Sequence, residues 1–180
     1  MKTKVLPLLA VAIVLTCEEP ASEIFAECGK DLITSPSKNV TFPFSELGIK
    51  VPENWFSVSL EDERVKTIYS ADSTLFAQTN KILAISLSSS KTKFEASSLE
   101  TVSKDFFQTE NLNLIDEGKT TCYGENCLYL ISRDTSMMYG SFLFIEGQRL
   151  HIINLTTSSD TGEYDRFCAL MSLLTNVNME

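Results

Sequence analysis

From Val40 onward, apolar and polar residues recur in short runs broken by Gly, Pro, Asn and Ser, a rhythm that predicts mainly β-strands. The stretch TFPFSELGIKVPENW predicts an extended lead-in, a turn at Glu46 to Gly48, a strand through Val51 and a break at Pro52. FSVSL alternates strictly, with Phe56, Val58 and Leu60 on one side and Ser57 and Ser59 on the other. VKTIYS and TLFAQT are two further short strand candidates, and ILAISLSS is a stronger one, ended by the polar loop SSKTK.

A helical period then takes over. Ser97 and Glu100 have capping-box spacing, and Leu99, Val102, Phe106 and Phe107 share one side through about Thr109. Strand patterns return in LNLIDEG, in TTCYGENCLYLIS, and in MYGSFLFIEGQRLHIINLTT, where two arms flank a turn at Glu146 to Gln148. Near-continuous apolar residues on both of those arms predict central strands covered on both faces. A final helix begins at the Asp160 to Glu163 spacing, with Tyr164, Phe167, Met171 and Leu174 as its buried stripe and Cys168 and Leu170 beside it. Strands, a helix, four more strands and a helix predict an α+β fold, a mostly antiparallel β-sheet packed by two main helices.

The N-terminal pattern is different. Residues 1–16 combine Lys2 and Lys4 with an apolar run from Val5 to Leu15, the charged and hydrophobic regions of a secretory signal. The run is shorter than the roughly 20 residues that span a bilayer. Two cleavage readings follow. An ordinary signal peptidase would cut near Ala21 or Ala26 and discard Cys17. Alternatively VLTC resembles a bacterial lipobox, with Thr16 where Gly, Ala or Ser is usual, and Cys17 becomes the acylated first residue. On this second and favoured reading, residues 17–40, short of apolar periodicity and containing TSPSKN, form a tether, and residues 41–178 form a single domain.

The strand carrying GIKVPENW, the alternating strands, the helix after a polar loop, the hairpin around YGEN, the two long apolar strands and the C-terminal amphipathic helix together resemble the PsbP-like superfamily. That group includes DcrB-like bacterial envelope lipoproteins. The similarity spans roughly residues 42–176 and is most motif-like at Gly48, Val51, Pro52 and Trp55. It implies a PsbP-like sandwich, packing at Trp55 without chemistry there, and a binding or assembly role.

Charge narrows the partners. The formal net charge is −9, and loss of Lys2 and Lys4 with the signal would take it to about −11. No stripe of Lys or Arg with interleaved aromatics is present, so nucleic acid, which is bound through phosphate neutralisation, is not an expected partner. A membrane reached through the lipid anchor and a protein partner are the expected ones, and excess acid also keeps an exported domain soluble.

Candidate chemistry is sparse. In CYGENC, a type II′ turn at Gly124 and Glu125 would place Cys122 opposite Cys127 within disulfide reach. Cys28 and Cys168 are then the remaining pair, and a bridge between them would pin the tether to the last helix. His151, the one histidine, lies on a strand without the partners that a catalytic triad or a zinc site needs in its neighbourhood of sequence, and is expected to be structural or superficial. Glu61, Asp62 and Glu63 lack the spacing of a calcium loop. No GxSxG or SxxK motif and no phosphate-cradling glycine loop occurs, so neither a cofactor nor catalysis is expected. The sequon at Asn154 falls on an expected central strand, which argues against glycosylation. The leading expectation is an exported, lipid-anchored, non-enzymatic binding or assembly factor. An acidic inhibitor or immunity protein for a basic enzyme, and a carrier with an apolar pocket between helix and sheet, are the alternatives.

Overall fold

The computed structural model describes residues 28, 36–93, 99–106, 112–174 and 177–178. Strands β1 (Ser37–Thr41) and β2 (Gly48–Pro52) form a small antiparallel sheet of their own. The main sheet contains β3 (Phe56–Glu61), β4 (Val65–Ala71), β5 (Leu83–Ser90), β6 (Asn113–Cys122), β7 (Glu125–Arg133), β8 (Met137–Glu146), β9 (Arg149–Ser158) and β10 (Val177–Asn178). Its order is β10-β6-β7-β8-β9-β5-β4-β3, and all neighbours run antiparallel. Among the described residues three helices accompany it, α1 (Ser73–Thr79), α2 (Leu99–Phe106) and α3 (Glu163–Met171).

The long apolar strands β8 and β9 sit mid-sheet, as their two-sided hydrophobicity requires. On one face Phe142, Phe144, Ile153 and Leu155 meet Val51 of the small sheet, Phe42 and Trp55 just beyond its two strands, and Phe167 and Leu170 from α3, all buried. On the other, Leu143, Leu150 and Ile152 are covered by Leu99 of α2. Gly140 is where α3 comes closest to the sheet: a Cβ there would lie 2.8 Å from Cζ of Phe167.

Several expectations are corrected. TLFAQT is helical, because Asp72 caps the helix by accepting from the amides of Thr74 and Leu75 at 2.9 and 3.0 Å, and Asn80 closes it with φ of 56°. Two local caps outweigh an ambiguous six-residue pattern. The first strand begins at Ser37, inside the stretch assigned to the tether. Its ladder reaches Pro52, and the Lys38 ammonium donates to the carbonyl of Trp55, so pairing holds residues that carry little apolar signal.

The hairpin in CYGENC turns one residue earlier than expected. Tyr123 and Gly124 are its central residues, with φ of 54° and 85°, as a type I′ turn demands. Cys122 therefore faces Glu125, and Cys127 faces Thr120. The reason is tertiary: the Tyr123 hydroxyl donates to the Gly48 carbonyl at 2.8 Å, and its ring packs against Phe42 and Phe144. At α3 the N-cap is Gly162 and not Asp160, whose carboxylate instead pairs with Arg166 and Lys81. Tyr164 is exposed, and the buried stripe is Phe167, Leu170 and Met171.

Candidate functional site

A cleft of about 1090 Å³ opens between the β1–β2 connection and the β3–β4 end of the main sheet. Val40, Phe44 and Glu46 line one wall; Ser57, Lys66 and Ile68 line the other, with Glu146 beside them. Its rim is shaped by the turn Phe42-Pro43-Phe44-Ser45, in which the Ser45 amide donates to the Phe42 carbonyl. Pro43 presets the second position of the turn, and Phe44 takes the third with φ of 62°. Glycine normally occupies that place in a type II turn, because a Cβ is strained there.

The Phe44 ring gains little burial in return, being 53% exposed. It is nevertheless held. The Arg149 guanidinium stands 4.7 Å and the Lys66 ammonium 5.8 Å from its centroid. Arg149 is itself fixed by donating to the carbonyls of Ser90 and Lys91, both at 2.8 Å. A strained, exposed aromatic flanked by two cations is thus presented at the mouth of a cleft that also carries Glu46 and Glu146. Such a mixed surface of aromatic, cationic and anionic groups suits a polypeptide better than a purely apolar ligand.

Behind the cleft lies His151, completely buried between the ring of Phe42, whose centroid is 5.1 Å away, and that of Phe144 at 5.3 Å. Its Nδ1 is 2.8 Å from the Ser89 hydroxyl, and its Nε2 is 3.4 Å from a Glu146 carboxylate oxygen. The structure therefore supplies the serine and the carboxylate that sequence spacing did not bring to this histidine. They do not form a working nucleophile. Ser89 is wholly buried, so no substrate can reach its hydroxyl, and the carboxylate addresses the nitrogen that would have to serve as base in a hydrolase triad. Nε2 has no well-aligned hydrogen-bond partner, because the Glu146 contact is too long for a strong one. Burial pushes the His151 pKa below its ordinary 6.5, against the opposing pull of Glu146.

The remaining sequence candidates lie elsewhere. Cys17 lies outside the described residues. Cys28 is bonded to Cys168 of α3, Cα to Cα 4.7 Å. Cys122 and Cys127 are bonded diagonally across the hairpin, 5.5 Å apart, and both are buried in the core. Glu61 pairs with Lys91, just past β5, at 2.7 Å, while Asp62 accepts from the amides of Arg64 and Val65 within the β3–β4 turn, so both carboxylates are committed. Among the described residues no group of His, Cys, Asp and Glu is placed to hold a metal, and no helix is long and apolar enough to cross a membrane. Phe167, Leu170 and Met171 are buried between α3 and the sheet. The cleft and Phe44 were missed; a phenylalanine directly after Pro43 in a turn was the one local signal.

No protein-family model matches the chain, and no curated protein matches it. Among solved structures, the solution structure of the cyanobacterial PsbP, CyanoP, from Synechocystis sp. PCC 6803 is 14% identical. It superposes with a TM-score of 0.56 over 85% of this chain and 97% of that one. The crystal structure of LpqN, involved in cell envelope biogenesis of Mycobacterium tuberculosis, is 13% identical with a TM-score of 0.47, over 79% of this chain and 90% of that one. At such identities the first likeness shows the fold, and this chain has the PsbP-like α+β fold.

Proposed function

We propose that this chain is an exported envelope protein, lipid-anchored at Cys17, that acts as a non-enzymatic binding or assembly factor through the cleft beside Phe44. Phe44 carries the reading. A bulky side chain kept in a glycine conformation, on the surface and between two cations, is strain that packing does not explain, and strain of this kind gathers at recognition sites. The PsbP-like fold is compatible with this role, and DcrB-like lipoproteins are the relatives that the sequence resemblance implies. Export and anchoring rest on Lys2, Lys4, the apolar run to Leu15 and the VLTC stretch.

The test is a photo-crosslinking benzoylphenylalanine in place of Phe44, in cells making the full chain. One discrete adduct, lost on Lys66→Glu, is the expected result. Absence of any adduct, or substrate turnover that disappears on mutation of the cleft, would defeat the reading. Intact mass of the membrane fraction tests the anchor: diacylglycerol mass on a species starting at Cys17, absent from Cys17→Ala, is expected. The formal charge of −9 favours one other occupant class, a basic enzyme held by an acidic inhibitor; an association rate independent of salt would exclude it.

A further inference from the structure

We propose that the outer edge of β3 is a strand-docking site for an extended segment of a partner protein, with apolar residues at alternate positions and Lys or Arg at its flanks. This deepens the binding reading and rests on it. β3 ends the main sheet, pairs with β4 alone among the described residues, and is exposed throughout Phe56 to Glu61. An unpaired strand edge offers a row of backbone donors and acceptors to any extended chain, and sheet proteins normally blunt it with Pro, Lys or a bulge. None of these occurs in FSVSLE, whose register with β4 runs unbroken from Phe56 opposite Ala71 to Glu61 opposite Lys66.

The side chains of β3 favour an occupant. Phe56, Val58 and Leu60 lie on one face and are 43%, 42% and 54% exposed, a contiguous apolar row and not isolated surface residues. At its Phe56 end the row leads into a small cavity of about 220 Å³, lined by Phe56, Tyr69, Ala71 and Phe76, with room for one large apolar side chain. On the opposite face of the same strand, Ser57 lines the cleft below Phe44. A strand laid beside β3 would therefore send alternate side chains to the apolar row and to the cleft, so one ligand would use both surfaces.

Charge decides the class of partner. Glu53 precedes β3 and Glu63 follows it, and neither has an ion-pair partner among the described residues. In a two-fold antiparallel pairing of two copies centred on Val58, Glu53 of each copy would face Glu63 of the other, which opposes self-association. The same carboxylates would attract a segment with basic flanks.

The purified full chain is titrated with a labelled peptide, Lys-Lys-Val-Thr-Val-Thr-Val-Lys-Lys, and with the same peptide N-methylated at alternate amides. Binding to the first is expected, with protection of the Ser57 and Ser59 amides from exchange. Affinity should fall about tenfold or more for the N-methylated peptide, and likewise for Val58→Lys, which places a charge in the apolar row. Equal affinity for the methylated peptide would overturn strand docking. So would amides already protected without peptide, which would mean that the chain covers its own edge, or a concentration-dependent dimer abolished by Val58→Lys. If the peptide does not bind the parent chain while the adduct from position 44 persists in Val58→Lys cells, this inference fails and the binding reading stands. If benzoylphenylalanine at positions 44 and 58 both give no adduct, the two fall together.

Discussion

The hydroxyl of Ser89 lies 2.8 Å from Nδ1 of His151, and both residues are completely buried. The imidazole is therefore packed in its neutral form, between Phe42 and Phe144, with Glu146 and Arg149 as the charged groups nearest to it. Burial holds its pKa below 6.5 in the folded chain. The unfolded chain binds this proton near pH 6.5 and the folded chain only at lower pH, so in that window the unfolded state holds more protons and stability falls as pH falls. The limit for one proton is about 1.4 kcal/mol per pH unit. Urea midpoints measured downward from neutral pH should decline through this window in the parent chain and stay flatter in His151→Gln. Glu61, Asp62, Asp134 and Asp160, whose pKa values are lowered by their hydrogen bonds, contribute stability that is lost as pH falls below their ordinary carboxylate values, on the acid side of the histidine window.

The two disulfides should differ in weight. Cys28–Cys168 closes a loop across a sequence separation of 140, and Cys122–Cys127 one across 5. In the chain-entropy account, removal of the long loop costs about 5 kcal/mol and of the short one about 2 kcal/mol. Denaturation of the two Cys→Ser pairs should follow that order; a larger loss from the hairpin pair would show that its packing in the core outweighs chain entropy.

Gly140→Ala should destabilise by about 1–3 kcal/mol, because the new Cβ has nowhere to go but into the Phe167 ring. Combination with Phe167→Leu should recover part of the loss. Additive effects in calorimetry would mean that the two sites are not in contact.

At position 44 the backbone conformation, more than the side chain, should set stability. Phe44→Gly is expected to be about 1 kcal/mol more stable than Phe44→Ala, since only glycine adopts φ of 62° without strain. Both should lose partner binding alike. Equal stability of the two would place the turn in another conformation in solution.

Much of this fold is legible in the amino-acid order. The apolar runs of β8 and β9, the helical stripe of Phe167 and Met171, and the position of Trp55 after a strand and a turn depend on contacts at periods of two to four residues, which composition and spacing encode directly. Segments of six or seven residues are less readable. TLFAQT carries too few positions to separate a strand from a helix, and its end groups, Asp72 and Asn80, settle it.

The site belongs to the other category. Ser89 and His151 are 62 residues apart, and Tyr123 reaches Gly48 across 75. Sequence alternation in FSVSL determined that one face of β3 is apolar; only the strand order, which leaves β3 at the end of the sheet, decided that this face stays open to solvent. Local steric preference and periodicity are properties of neighbouring residues, and the chain carries them wherever it folds. Burial, charge environment and the one-residue shift of the Cys122–Cys127 hairpin arise from residues brought together over tens of positions, and only the tertiary structure determined them.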